Sequence, residues 1–145
     1  MSQWLDELTI AADRGEVRRA SEWLDAACRQ HEVPQALAER LVLCLHEVLA
    51  NIIIHGGRAA LAAPIQLALE VALDKDHGRA GVKVSDAGIA FDPRSVPARS
   101  APKTLEEASM GGRGLVLIRR CSDWLDYRHE GGRNHLAFGA RWDLR

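Results

Sequence analysis

The hydrophobic pattern of the chain changes its period near Pro64, and this change restricts the possible folds more than any other feature. Before it, apolar residues recur at helical spacing in the stripe Leu37, Leu41, Leu45, Val48 and Ile52. After it, apolar residues alternate with other residues over 65–73, as in a strand with one buried face. A long amphipathic helix followed by a half-buried strand predicts a sheet that is covered by helices on one face.

The other segments fit the same layout. The predicted elements are a strand over 8–12, a helix over 16–30, a helix from 34 to about 54 with Pro34 as its first residue, a hairpin of 65–73 with 81–86, a helix beginning at 115–118, and a hairpin of 124–128 with 135–142. Residues 92–111 show neither period, which is typical of a functional lid or binding loop. Trp23, Trp124 and Trp142 fall at core-compatible positions. We therefore expect a single α+β domain over 1–145, a two-layer sandwich with a mostly antiparallel sheet.

Composition excludes several classes of protein. The 145 residues include 19 basic and 20 acidic side chains, so a direct nucleic-acid binder, which needs a basic surplus, is not expected. No apolar run approaches the length that crosses a bilayer, and no leader precedes the first strand, so we expect a cytoplasmic protein without a membrane partner. The three cysteines, Cys28, Cys44 and Cys121, are too widely spaced for a metal knuckle and are expected to be free thiols.

The first cluster of candidate functional residues lies on the long helix. Glu47 and Asn51 are four residues apart, so their side chains lie one turn apart on the same side, at the rim of the apolar stripe. An amide oxygen can ligate Mg²⁺, and a nearby carboxylate can accept a proton. Taken alone, the pair also fits an ordinary solvated flank of a helix.

The second cluster, residues 86–93, follows a predicted strand. The carboxylate of Asp86 can accept a hydrogen bond from an exocyclic amine, and Gly88 allows a flat ring to approach the backbone. The alternative is a turn that only closes the strand.

The third cluster, residues 110–115, precedes a predicted helix. Its glycines leave backbone N–H groups uncovered at a helix start, which favours phosphate. It is not a Walker loop, because no Gly-Lys-Ser/Thr follows, and a glycine-rich hinge is the alternative.

In this order and spacing, the three clusters resemble the GHKL ATPase superfamily of gyrase, heat-shock chaperone, histidine kinase and MutL type. The shared pattern is Glu-x-x-x-Asn on a helix, Asp-x-Gly after a strand, a long loop, and Gly-x-Gly-Leu opening a helix. The small size and the sequences of residues 91–93, 118–120 and 130–136 look like the anti-sigma-factor serine kinases of partner-switching systems. The resemblance covers residues 8–141 and implies a sandwich of the Bergerat type.

The resemblance implies a magnesium–ATP site. Asn51 is then the metal ligand, coordinating the Mg²⁺ that bridges the phosphates, and Glu47 is the catalytic base that acts on the attacking hydroxyl. Asp86 is implied to hydrogen-bond the adenine amino group, Gly88 to lie against the ring, and Phe91 to belong to the same nucleotide site.

The loop and the start of the helix after it complete the implied site. Gly112 and Gly114 border the phosphates, Leu115 ends the same motif, and residues 93–111 form the ATP lid. Arg113 is expected to reach the γ-phosphate, from its position and charge alone.

Two positions carry alternatives. His55, with Gly56, lies one turn beyond Asn51 and either lines the same pocket or caps the helix. Ala90 stands where the superfamily pattern has a second glycine, two residues after Gly88. Because alanine disfavours positive φ, an altered loop and lowered nucleotide affinity are expected there, and turnover is affected more than ATP binding.

The implied activity is that of an ATP-dependent serine/threonine protein kinase and anti-sigma factor. Its partners are a STAS-type antagonist that it phosphorylates, a sigma factor that it sequesters, and a second copy in a homodimer; its cofactors are ATP and Mg²⁺. The alternative is a non-catalytic module whose partner affinity depends on nucleotide, which Ala90 favours. A fragment of a sensor histidine kinase is disfavoured, because no helix pair with a phosphoacceptor histidine precedes the catalytic region.

Overall fold

A computed structural model of the protein describes residues 2–92 and 121–144. In these residues three helices and five strands follow one another along the chain. They are β1 (Ser2–Ile10), α1 (Arg14–Gln30), α2 (Gln35–His55), α3 (Gly57–Ala62), β2 (Ile65–Leu73), β3 (His77–Asp86), β4 (Trp124–Glu130) and β5 (Arg133–Asp143). The helix predicted to begin at 115–118 lies outside the described residues. None of the described helices is both long and apolar enough to span a membrane.

The five strands form one antiparallel sheet in the order β1-β2-β3-β5-β4. Its register aligns Leu69 with Val82 and Val82 with Phe138, so every second residue of neighbouring strands points to the same face. On that face these side chains are fully buried in one core cluster with α1 and α2. The predicted α+β sandwich with helices on one face is confirmed.

Helix α2 forms as its apolar stripe predicts. Leu41, Leu45 and Val48 are buried, and Leu37 and Ile52 pack partly against the same core. Pro34 is the residue before the first helical residue, one position earlier than predicted. There its missing N–H removes no helical hydrogen bond, and its fixed φ suits the chain entry.

The predicted first strand, 8–12, is wrong at both ends, since β1 runs over Ser2–Ile10. The strand pairs with β2 along its whole length, from Ser2 opposite Leu73 to Ile10 opposite Ile65. Backbone pairing with a neighbour thus defines this edge strand, whose first residues are largely exposed and carry little apolar signal. Helix α3 was not predicted either; it begins at Gly57, whose φ of 76° changes the chain direction at the end of α2.

Trp124 does not belong to the core, contrary to the prediction. It pairs with Gly139 on β5, and these two residues face away from the helices. The missing side chain of Gly139 leaves the space that the indole ring fills. Arg79 and Arg141 lie 4.9 and 4.6 Å from the ring centre. The indole therefore makes cation–π contacts with two guanidinium groups on the outward face of the sheet.

The three cysteines are free thiols, as predicted. Burial raises the pKa of Cys28 to about 12, with a smaller contribution from Asp25. Burial also raises the pKa of Cys44 to about 12, reinforced by the neighbouring Cys121 thiol and the Glu47 carboxylate. Cys121 is only half-buried, and its carbonyl oxygen accepts hydrogen bonds of 3.2 and 3.1 Å from the guanidinium of Arg40 on α2.

We expect alkylation of the folded protein to distinguish these thiols. With pKa values of about 12 instead of 9.0, Cys28 and Cys44 carry about a thousandfold less thiolate at pH 8 than an ordinary thiol. Iodoacetamide should therefore modify Cys121 first and leave the other two nearly unmodified up to pH 10. Peptide mass spectrometry after timed quenching measures this, and unfolding in urea should equalise all three. Equal rates for Cys44 and Cys121 in the folded protein would contradict the expectation.

Candidate functional site

A cleft of about 520 Å³, measured out to its open mouth, lies between α2 and the sheet. It is formed by the last turns of α2, the segment after β3, and the facing ends of β4 and β5. Its lining residues are Val48, Asn51, Ile52, His55, Gly56, Asp86, Ile89, Phe91, Tyr127, Asn134 and Leu136. Four of the predicted site residues, Asn51, His55, Asp86 and Phe91, thus meet at one cleft.

The helical wall of the cleft follows from the spacing along α2. Asn51 and His55 are one turn apart, so both side chains reach the same opening. Glu47 is half-buried one turn before Asn51 but is not among the described residues that line the cleft. Its carboxylate is close enough to Cys44 to raise the pKa of that thiol, after the larger effect of burial. Glu47 therefore lies beside the cleft, on the side of α2 that approaches Cys121.

The opposite wall of the cleft carries the carboxylate of Asp86, of which one oxygen is already hydrogen-bonded within the protein. Asp86, the last residue of β3, is 5% exposed. Its Oδ1 accepts hydrogen bonds from the backbone N–H of Gly88 at 2.8 Å and from Nδ2 of Asn134 at 3.2 Å. Its Oδ2 has no hydrogen bond within the described part of the chain. Since Asp86 also lines the cleft, this second oxygen is available to a donor on a bound molecule.

Gly88 has a local reason to be glycine. A Cβ atom there would lie 2.8 Å from Oδ1 of Asp86 and 3.0 Å from the backbone of Gly56. The next residue, Ile89, donates its N–H to the carbonyl oxygen of Gly56 at 3.1 Å. The turn after β3 is thus packed directly onto the end of α2, which sets the width of the cleft. The implied contact between Gly88 and a ligand ring stays a prediction.

Sequence reasoning missed two residues of the site, Asn134 and Tyr127. Asn134 lies opposite Asp86 in the pairing of β3 with β5, and the Tyr127 hydroxyl donates to its Oδ1. The same hydroxyl accepts the backbone N–H of Phe91 at 3.0 Å. Asn134 lies in residues 130–136, which carry part of the resemblance, and follows the double glycine at 131–132, which places the next strand close to a turn. Nothing local indicated that this strand pairs with β3.

Ala90, which replaces the second glycine of the superfamily pattern, has no strained φ angle. Glu32 is the only non-glycine residue with positive φ in the described ranges, so Ala90 keeps a conformation that alanine adopts readily. Its side chain is exposed. The expectations of an altered loop and of lowered nucleotide affinity at this position both stay predictions.

The side chains that line the cleft fit an adenine nucleotide. Val48, Ile52 and Leu136 provide apolar walls for a flat ring, and Asp86 offers an acceptor for an amino group. No group of three His, Cys, Asp or Glu side chains able to hold a metal occurs among the described residues. A magnesium ion here would therefore take the amide oxygen of Asn51 and complete its shell with phosphate oxygens and water, as Mg²⁺ commonly does.

The predicted phosphate-binding residues Gly112, Arg113, Gly114 and Leu115 lie outside the described residues, as does the predicted lid, 93–111. Their implied roles stay predictions.

Comparison with known proteins agrees with this geometry. A family model described as the histidine kinase-like ATPase domain matches residues 10–139. The serine/threonine-protein kinase BtrW of Bordetella bronchiseptica is 29% identical over 137 residues, which are 94% of this chain and 94% of that protein. A chain in the crystal structure of the SiaB–SiaC complex from Pseudomonas aeruginosa has a similar fold. Its TM-score is 0.54 and its sequence identity 16%, over 94% of this chain and 89% of that one.

Proposed function

Because the chain belongs to the histidine kinase-like ATPase domain family, we propose that it is a protein kinase that uses Mg-ATP bound in the cleft between α2 and the sheet. The observation that carries this proposal is the meeting of Asn51, Asp86 and Phe91 at one opening of suitable chemistry. The relation to a serine/threonine-protein kinase over 94% of both chains supports the type of activity.

In the proposed reaction, a serine or threonine hydroxyl of a partner protein attacks the γ-phosphorus of ATP. The new O–P bond forms as the bond to the β,γ-bridging oxygen breaks, and ADP leaves. Glu47 accepts the hydroxyl proton, and Asn51 contributes its amide oxygen to the magnesium ion that offsets phosphate charge. Asp86 would hold the base of the nucleotide, and Asn51 and Glu47 would act at its phosphates.

Two protein partners are proposed, which bind the kinase alternatively. A STAS-type antagonist would be the phosphoacceptor and a sigma factor the alternative ligand. Phosphate on the docking surface of the antagonist adds about two negative charges that must lose water in the complex, so it weakens that complex and frees the kinase. The SiaB–SiaC complex is an assembly of two proteins, which supports a protein partner for this fold.

Incubation with γ-labelled ATP, Mg²⁺ and a candidate STAS-type antagonist tests the proposal. We expect label on the wild-type antagonist and none on a variant whose acceptor serine is alanine. A displacement assay with a candidate sigma factor, before and after phosphorylation, tests the switch. Absence of transfer in the presence of measured Mg-ATP binding would overturn kinase activity.

The second candidate is a non-catalytic module whose partner affinity depends on nucleotide. Its support is Ala90 in place of the family glycine, together with the position of Glu47 beside the cleft rather than in its described lining. This candidate requires tight Mg-ATP binding, nucleotide-dependent partner affinity and no phosphoryl transfer.

We also propose a homodimer that uses the outward face of the sheet. This face carries both signs of charge, including Lys83 paired with Glu70 at 2.9 Å and the two arginines around Trp124. A two-fold interface requires such self-complementarity. Light scattering should give the mass of two chains, and Lys83→Glu, which places two like charges together, should shift the protein to the monomer. A monomeric wild type at all concentrations would contradict the proposal.

A further inference from the structure

The amide of Asn134 makes hydrogen bonds to several groups in the cleft. It is 7% exposed, and its Nδ2 lies within hydrogen-bond distance of three acceptors. These are Oδ1 of Asp86 at 3.2 Å, the carbonyl of Gly88 at 3.3 Å and the carbonyl of Ile89 at 2.9 Å. Its Oδ1 accepts from the Tyr127 hydroxyl, and Nδ1 of His129 lies 3.1 Å from the same oxygen.

The partners determine which way this amide points. The backbone N–H of Phe91 donates to the Tyr127 oxygen, so that hydroxyl has its own hydrogen left for Oδ1 of Asn134. A flipped amide would place its oxygen against the carboxylate of Asp86 and two carbonyl oxygens, four acceptors without a donor. The orientation with the NH₂ group toward Asp86 gives both of its hydrogens an acceptor and leaves Oδ1 to accept from Tyr127.

The orientation of the Asn134 amide helps to fix the carboxylate of Asp86. Two N–H donors, from Gly88 and Asn134, hold its Oδ1 and so fix the rotation of the carboxylate. The other oxygen, on the cleft side, can only accept a hydrogen bond. A base with an amino group at this position is satisfied, whereas a base with a carbonyl oxygen there brings two acceptors together.

We infer that Asn134 is a positioning residue for base selection, which holds Asp86 so that the cleft discriminates 6-amino from 6-oxo purine nucleotides. The inference rests on the proposed nucleotide function of the cleft. Asn134 acts through Asp86, and Tyr127 acts through Asn134 by fixing the direction of its amide. Loss of Asn134 should therefore reduce selectivity for the base rather than general affinity for the nucleotide.

Calorimetric titration with Mg-ADP and Mg-IDP tests the inference, because these nucleotides share every phosphate contact and differ at the 6-position. In the wild type we expect ADP to bind at least about tenfold more tightly, since the difference is a hydrogen bond to a charged group. In Asn134→Ala the ratio of the two dissociation constants should fall toward one, mainly through weaker ADP binding. If Asn134 contributed only to the stability of the fold, its loss would weaken the binding of both nucleotides alike.

Two further variants make the test specific. Tyr127→Phe removes the hydroxyl that orients the amide without touching Asp86, and should lower the ratio partially. Gln35→Ala removes an exposed amide at the start of α2, away from the residues that line the cleft, and should keep the wild-type ratio. If Asn134→Ala does not fold, Tyr127→Phe carries the same comparison.

The outcomes separate the inference from the function on which it rests. A wild type that binds neither nucleotide would overturn both. A selective wild type whose ratio is unchanged in Asn134→Ala and Tyr127→Phe would overturn only the role of Asn134. A wild type that binds the two nucleotides equally would overturn base selection by Asp86.

Discussion

Replacing Asp86 with asparagine is expected to reverse the base preference of the protein. Oδ1 of the new amide can still accept from Gly88 and Asn134, so its NH₂ group takes the place of the oxygen that is available in the cleft. This NH₂ group opposes the amino group of adenine but donates to a 6-oxo group. We expect the dissociation constant of Mg-ADP to rise about 10- to 100-fold, the value of a hydrogen bond to a charged group, and that of Mg-IDP to fall.

Calorimetry with the two nucleotides measures the reversal, and thermal unfolding shows whether the fold is intact. The melting temperature should change little, because the isosteric side chain keeps both donors satisfied. Asp126→Asn is the matched control, since this exposed aspartate lies on the outward face of β4. An Asp86→Asn variant that binds Mg-ADP as tightly as the wild type would remove Asp86 from the base site.

The second large effect is expected for Glu47→Gln. The amide keeps the size of the side chain but cannot accept the proton of the attacking hydroxyl. Phosphoryl transfer to the antagonist should therefore fall by about 10² to 10⁴, the usual contribution of a general base. Affinity for Mg-ADP should change little, because Glu47 is not among the described residues that line the cleft.

Single-turnover transfer of label from ATP, with nucleotide affinity measured on the same preparation, separates the two effects. Glu39→Gln on the same helix is the control, since this carboxylate is exposed, does not line the cleft and accepts a hydrogen bond from Gln35. Transfer by Glu47→Gln at a rate close to that of the wild type would exclude the base role. Affinity lost in parallel with activity would instead indicate that Glu47 contributes to binding.

Much of the site follows from local geometry and was therefore predictable. The four-residue spacing of Glu47 and Asn51 puts them on one side of any helix, whatever the helix packs against. Asp86 ends a strand because the alternation of apolar residues stops there and turn residues follow. His55 and Phe91, also predicted from the sequence, line the cleft formed by these elements.

The parts that sequence reasoning missed depend on contacts between distant residues. Asn134 is a site residue only because β5 inserts between β3 and β4 and aligns it with Asp86, 48 residues earlier. Trp124 lies on the outward face because Gly139 and Gly81 leave space beside it and two arginines contact the ring. No local pattern around either residue contains this information.

The sequence by itself determined the periods of the hydrophobic pattern and the order of helices and strands along the chain. These follow from the repeat of a helix or strand, which acts over a few residues. The sequence also supplied the residue types that can bind a metal ion or a nucleotide. Tertiary structure alone decided the order of strands in the sheet, the packing of Gly88 against Gly56, and the hydrogen bonds that leave one oxygen of Asp86 available. Such features depend on which surfaces bury each other, and burial is a property of the whole chain rather than of any segment.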